Sequence, residues 1–448
     1  MKRKKRVTTK RRVAKTPIIV KVSLIIIVFF VLFATIFKIT EIILTHKSDN
    51  FPKLEISLKN VSIEKIDAGS KDTKYPENTI TSTINDKTTT YYDVEVKGRG
   101  NTTWEQIKKP YQIKFRNKES FFNIDKSKKW TLLANYLDPT YLRNDTAFYL
   151  EKILNEEYNM EGSFIELSID ENYRGLYYLS EKVEVDEHRV NLKNDYGTLV
   201  ELDNIHNETE ECSYDSKNTC ILFKDFVDEA NAPAVKENFI FSLNSLYKKI
   251  HLKDYEAISE IIDIGSFAKY YLLNEFAVNP DAYSSSFYLY KDGVEDKIHA
   301  GPGWDFDLAL GNLLWNSSTI DLDSFYSPFE DMILKHYTTH KDNFQYIDTI
   351  STLLYDLMEI PEFEARVKEI YQETLSGKGD EILDYIRSQA EYIKPAVLRD
   401  QKRWKSKTNF DEEVDYLIDW VAKRYDHFEQ TYGANSDQAP KSPQPSQE

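Results

Sequence analysis

The hydrophobic period of this chain changes near residue 230, and that change limits the folds open to it. Upstream, short runs with apolar residues at alternate positions read as strands: LEISL, YYDVEVKGRG, PYQIKF, KKWTLLANY, then FIELSID and GLYYLSEKV around the turn signal ENYRG. One helix interrupts them near YLRNDTAFYLEKILNEEY, where Leu142, Ala147, Leu150 and Leu154 share a face. Downstream, VKENFIFSLNSLYKKI, SFAKYYLLNEFAV and the stretches near 345–375 and 378–430 carry helical spacing. Strands first and helices second predict an α+β chain of two lobes, strand-rich over about 50–225 and helical over about 232–433, meeting at a cleft. The tail, 434–448, is rich in Pro, Ser and Gln and is expected to be disordered, because it lacks the apolar residues that would offset its ordering entropy.

Charge is distributed unevenly. Residues 1–40 hold eleven Lys or Arg and no acid, which leaves 47 basic against 74 acidic residues from Glu41 onward, a net −27. Such a body repels nucleic-acid phosphates and argues against nucleic acid as a partner, while leaving room for a local basic pocket. Residues 22–37 run for sixteen positions without a charge, between Lys21 and Lys38, whose long side chains reach back to an interface. No small-residue cleavage site closes the run, so 18–44 is expected to be a transmembrane signal anchor that stays in place. The excess of positive charge before it places 1–17 in the cytoplasm and 45–433 outside, in a single-pass protein of the cell membrane. Cys212 and Cys220 fall on that outer side. They either close a small surface loop or stay as two free thiols, and an oxidising compartment favours closure. No CxxC or HExxH spacing occurs, so zinc is not the first metal expected.

The helical half contains a two-stranded feature, NPDAYSSSFYLYKDGVEDKIHAGPGWDFD. SFYLYK and KIHAG flank the turn-rich DGVED and read as a β-hairpin. Asp281 precedes its first strand and Asp305 follows its second, so an antiparallel return would make neighbours of carboxylates 24 residues apart. Paired carboxylates at a hairpin mouth suit a hard cation with a phosphate, and a further acid can accept a hydroxyl proton. Protein kinases share this spacing, with a catalytic-loop Asp, a metal-binding Asn five residues later, a hairpin, and the Asp of D-F-G. The matching residues are Asp281, Ser286 and Asp305-Phe306-Asp307, and Gly301 and Gly303 are expected to let backbone approach a ligand closely. Read singly, Asp281 and Asp305 are as readily a turn cap and a helix cap.

The strand-rich half offers the opposite charge. KGRGNTTWEQIKKPYQIKF runs from strand through a Gly-containing turn to strand, with Arg99 and Asn101 at the turn and Lys108, Lys109 and Lys114 beyond it. Amides of such a turn, with Arg and Lys, hold polyphosphates. Lys114 sits mid-strand, where kinases carry a lysine, although alternating Lys on a strand is commonly its solvated face. Glu181, with Glu201 or Asp203, supplies candidate lysine partners or ribose contacts.

KGRGNTTWEQIKKPYQIKF, KKWTLLANYLDPTYLRN, GLYYLSEKV, NPDAYSSSFYLYKD and GPGWDFDLALGN, in that order over about residues 90–315, resemble the spore-coat-H (CotH) kinase family of atypical protein kinases. The resemblance implies an atypical two-lobed protein-kinase-like fold, ATP with a divalent cation (Mg²⁺ or Mn²⁺), and phosphorylation of protein Ser or Thr; with the expected topology the substrate is a protein at the cell surface. By match of motif Asp281 looks like the catalytic base and Asp305 like the metal ligand, with Arg99 and the KKPYQIKF lysines Lys109 and Lys114 near the phosphates; the residues themselves add Ser286 and Asp307 as further metal ligands and Asn101 and Glu181 as further cofactor contacts. Where the family pattern has Asn directly before Phe-Tyr-Leu-Tyr, this chain has Ser286. Two other readings compete: a catalytically degenerate surface scaffold on the same framework, and a metal-dependent glycoside hydrolase, which leaves the cationic turn unexplained.

Overall fold

The computed structural model describes residues 50–204, 211–312 and 352–434, together with 32, 33 and 35. The expected cytoplasmic segment 1–17, nearly all of the expected anchor 18–44 and the tail from 435 lie outside the described residues. Among the described residues, no helix is long and apolar enough to cross a membrane.

A short strand, β1 (Lys53–Ser57), and the helix α1 (Ile63–Asp67) precede three β-hairpins. These are β2 (Tyr75–Ile84) with β3 (Lys87–Gly98), β4 (Tyr111–Phe121) with β5 (Ile124–Leu133), and β6 (Gly162–Ile169) with β7 (Asn172–Glu181). Each hairpin turns through two residues of positive φ: 48° and 63° at Asn85-Asp86, 52° and 66° at Phe122-Asn123, 49° and 63° at Asp170-Glu171. That mirror-image turn matches the right-handed twist of antiparallel strands. The strands close into a barrel in the order β1-β2-β3-β4-β5-β7-β6, because β1 pairs antiparallel with β2 on one side and parallel with β6 on the other. Alternate residues, among them Ile56, Ile80, Val96, Ile113, Trp130 and Leu167, point inward and are buried, and Ile63 and Ile66 of α1 join them.

After α2 (Arg143–Ile153), which sits between β5 and β6 in sequence, β8 (Thr198–Leu202), β9 (Ser213–Tyr214) and β10 (Cys220–Phe226) begin a second sheet. The helices α3 (Ala232–His251), α4 (Tyr255–Ile261), α5 (Ile264–Ala277) and α6 (Asp281–Ser284) follow. The sheet is then completed from the helical half by β11 (Phe287–Lys291) and β12 (His299–Ala300), giving the order β12-β11-β8-β10-β9. Cys212 and Cys220 form a disulfide, with Cα atoms 5.2 Å apart, which closes the β9–β10 turn. The chain ends in α7 (Leu353–Met358), α8 (Pro361–Thr374), α9 (Gly379–Trp404) and α10 (Phe410–Tyr432).

The expected two-lobed kinase-like fold is therefore corrected. The strand-rich half closes into a seven-stranded barrel, which is not a typical kinase fold, and the described residues from Pro52 onward form one compact unit. Two pairings cause this. β1 satisfies the backbone edges of both β2 and β6, so no open edge is left, and β11 adds to β8, so the second sheet is built from both halves of the chain. Element type was legible from hydrophobic period; which edges meet was not.

Asp400 on α9 ties the barrel to the helices. Its carboxylate accepts from Leu176 N at 2.8 Å and Tyr141 OH at 2.8 Å, and pairs with Lys108 Nζ at 2.7 Å. Lys108, only 1% exposed, also donates to Leu176 O and lies 5.2 and 4.8 Å from the Tyr141 and Tyr177 rings. Gly175 makes the approach possible, since a Cβ there would stand 2.0 Å from Asp400 Oδ1. Removing one partner of a buried ion pair strands the other charge. Asp400→Ala is thus expected to cost about 3–5 kcal/mol, measured as a fall in the denaturant midpoint.

Candidate functional site

The β11–β12 hairpin pairs Leu289 with Ala300 and Tyr290 with His299, so the chain returns to its starting point. Asp281, Asp305 and Asp307 then offer carboxylate oxygens that all lie within 4.8 Å of one another. Each is positioned by its own local structure. Asn279, fully buried, accepts from Asp281 N at 3.2 Å and donates to Asn274 Oδ1 at 3.1 Å, which fixes the start of α6. On the other side, α2 reaches across. Asn144 Oδ1 accepts from Phe306 N at 2.9 Å, Glu151 Oε1 accepts from Gly303 N at 2.5 Å, and Arg143 Nε donates to the carbonyls of Ala309 and Leu310.

Strand alternation arranges the second wall. Tyr288 on β11 stands opposite Glu201 on β8, and the same face carries Ser286 and Asp203 one period away. The pairing of β10 with β8 slips between Phe223 and Asp225, and Lys224, in that bulge, meets Glu201 at 2.7 Å. Bulges commonly re-aim a side chain in this way. The third wall is the turn after β3: Arg99 N donates to Pro110 O at 3.3 Å, and its guanidinium lies 5.4 Å from the Trp304 ring. Residues from all three walls line a cavity of about 510 Å³, within the range of a small-molecule site.

The electrostatics follow from burial and like charge. Burial first, then Asp305 and Asp203, pushes Asp281 up to about 8. Asp305 is raised by burial, against the opposing pull of Arg99, and by Glu201. Asp307 is raised well above the carboxylate range by burial, Asp305, Asp281 and Asp138. Burial lowers the Arg99 guanidinium, with Asp305, Tyr288, Asp307 and Glu201 resisting. Such a cluster holds protons or a cation. Three oxygen donors in one partly desolvated pocket, with Ser286 beside them, fit a hard divalent ion.

The structure gathers Asp281, Asp305, Asp307, Ser286, Arg99 and Asn101 on one cavity, and Glu201 and Asp203 with them. Lys109, Lys114 and Glu181 do not line it. Lys114 stands between Glu95 and Lys129 on the outer face of the barrel, because the alternation that buries Ile113 and Phe115 turns it outward. Lys109 donates to the carbonyls of Trp104 and Gln106, fastening the 3-10 turn Thr102–Glu105, and Lys108 is committed to Asp400. Glu181 pairs with Arg189 and accepts from Glu161 N at 3.0 Å. The two glycines differ in their surroundings. Gly301 has φ of 113° with open space around it, and Gly303 packs on Leu273 and Phe306, where a Cβ would stand 2.8 Å from Leu273 Cδ2. Sequence reading missed Lys224, Tyr288, Trp304 and Asn144. Lys224 had one signal, a charge inside the apolar run CILFKDF.

The cavity therefore sets the carboxylates of Asp281, Asp305, Asp307, Glu201 and Asp203 beside the cations of Arg99 and Lys224, a mixture suited to a hard cation and a phosphate. Residues 96–428 match the model of the CotH kinase protein, and the chain belongs to that family. No curated protein matches it.

An acid whose pKa is raised by folding binds more protons in the folded than in the unfolded state, so its contribution to stability falls as pH rises through that interval. For Asp281 the interval runs from 3.8 to about 8. The metal-free protein is therefore expected to lose thermal stability across that range, and Mg²⁺ or Mn²⁺ to restore more of it at pH 8 than at pH 5. Thermal unfolding of the wild type and Asp305→Asn over pH, with and without the ion, checks this; the variant should flatten both trends.

Proposed function

We propose that this protein transfers the γ-phosphoryl group of ATP to Ser or Thr hydroxyls of proteins, using Mg²⁺ or Mn²⁺. The observation that carries the reading is the convergence of Asp281, Asp305 and Asp307 within 4.8 Å, in one cavity with Arg99 and Lys224. Asp305 and Asp307 would hold the ion, with Ser286 as a hydroxyl donor. A bound divalent ion supplies neutralisation of charge on the transferring phosphoryl oxygens. Arg99 and the backbone of the turn through Gly100 and Asn101 receive phosphate oxygens. Trp304, under Arg99, keeps the guanidinium plane oriented. Lys224, steadied by Glu201, brings a second cation to the same cavity. Asp281 accepts the proton of the attacking hydroxyl, a task suited to an acid whose environment raises its pKa toward the working pH. Membrane anchoring and placement outside the cytoplasm are supported by the charge-free run at 22–37 behind a basic head, and by the Cys212–Cys220 disulfide.

Full-length protein in detergent, supplied with ATP and Mg²⁺ or Mn²⁺, is expected to move labelled phosphate onto protein hydroxyls. Asp281→Asn should lower the rate by about a hundredfold or more while retaining nucleotide binding, and Asp305→Asn should lose metal-dependent nucleotide binding. In a thermal-shift titration, ATP at about 100 times its dissociation constant adds roughly 2.7 kcal/mol of apparent stability. A folded wild type with no response to ATP and metal would favour the scaffold reading instead. Ser286 has φ of 52°, a left-handed conformation that Asn tolerates well. Ser286→Asn, which exchanges a hydroxyl for an amide carbonyl, is accordingly expected to tighten Mg²⁺ binding in the same titration.

A further inference from the structure

The lip of the cavity carries cations that the proposed phosphoryl transfer leaves unused. Gly98, the last residue of β3, lets the segment before β2 lie against the turn: a Cβ there would stand 2.8 Å from Lys71 Cα and 2.5 Å from the Trp104 ring. Lys71 Nζ donates to Asn101 Oδ1, and Asn101 lines the cavity. Lys97, beside Gly98 on the strand, is half-buried, with the Asp72 carboxylate 3.8 Å away. Burial lowers its ammonium, Asp72 opposes, and Lys74, Arg99 and Lys71 lower it further, so three other cations stand within Coulombic reach of Lys97.

Two features separate this lip from the phosphate-binding wall. Lys71, Lys74 and Lys97 do not line the cavity, whereas Arg99 and Lys224 do. Lys74 is exposed and Lys71 half-exposed, so their charge is open to solvent beside the turn whose Asn101 lines the cavity. In a body carrying −27 from Glu41 onward, a group of like cations is a local exception, and an anion docked on it relieves their repulsion. The acceptor polypeptide, which must come to this mouth to bring a hydroxyl to Asp281, is the approaching group that fits.

We propose that Lys71, Lys74 and Lys97 form a docking lip for acidic side chains next to the acceptor hydroxyl, so that this protein selects Ser or Thr within acidic segments. The inference rests on the phosphotransfer reading of the cavity, and it names the substrate class of that site. Two fluorescein-labelled peptides of equal length test it, one with Asp flanking a Ser and one with each Asp replaced by Asn. Their binding to the full-length protein in detergent is followed by anisotropy, at low and moderate salt, alongside thermal shift with ATP and Mg²⁺.

At low salt the Asp peptide is expected to bind at least about tenfold tighter, with the difference shrinking as salt screens it. Lys74→Glu, at an exposed position, should abolish the preference without unfolding the protein. The triple variant Lys71→Gln, Lys74→Gln, Lys97→Gln should do the same while keeping its response to ATP and Mg²⁺. Equal affinity of the wild type for both peptides overturns the inference and leaves the nucleotide reading standing. Loss of the ATP response in the triple variant, with peptide preference intact, assigns the lip to the donor phosphates and overturns it too. Acidic preference in a wild type that ignores ATP would support the lip and remove the phosphotransfer reading.

Discussion

Three carboxylates held within 4.8 Å repel one another, and much of the polar interior of this fold serves to keep them together. Two unit charges at that separation cost roughly 3–4 kcal/mol at an effective dielectric of 20. No single bond resists this. Helix α2 grips the 303–312 segment at several points, through Glu151, Asn144 and Arg143. Arg143 is itself fixed by Asp138, with both side chains fully enclosed. Leu310 N donates to Ala277 O at the end of α5, so the segment is also held from the helical side. The residues that back this partly desolvated pocket therefore also hold the acids against their mutual repulsion.

The cationic wall is held just as firmly but by different means. The turn after β3 is fastened by Lys109 at its 3-10 corner and by Lys108, whose charge is absorbed by Asp400 and the Tyr141 and Tyr177 rings. Neither lysine offers its charge to the cavity; both set the position of Arg99, which does. In this chain basic residues near a glycine turn divide into those that bind and those that build. Burial and partner decide which.

Much of the site was legible in the sequence because chain geometry dictated it. A hairpin between SFYLYK and KIHAG brings its flanks together whatever surrounds it, and Asp281 and Asp305 needed no other information to become neighbours. Lys114 was misread because mid-strand position fixes a face only once the inward residues are known, and Ile113 and Phe115 claim the inside. Lys224 was marked only as a charge inside an apolar run, and its aim into the cavity depended on a slip in strand pairing that the sequence does not announce. Barrel closure depended on β1 meeting β6 across more than a hundred residues, and the turn at Phe122-Asn123 puts a bulky aromatic at positive φ, where sequence rules expect Gly, Asn or Asp. Long-range pairing and turns that only tertiary packing enforces are what local pattern omits.

Positive-φ residues occur at turns along the chain, and three of them flank or include the acids. Val278, Ser286 and Asp305 have φ of 49°, 52° and 64°, and for a β-branched residue such as Val278 that region is costly. Conformations of this kind, at about 1–3 kcal/mol each, persist only where neighbours over-determine them. Val278 is followed directly by Asn279, whose buried amide bridges Asn274 and the Asp281 backbone. Ser286 directly precedes β11 in the second sheet, and Asp305 is bracketed by the anchors at Gly303 and Phe306. Each strained residue thus has a rigid partner within two positions. Among the described residues the carboxylates are placed by imposed backbone, and their oxygens converge on one another.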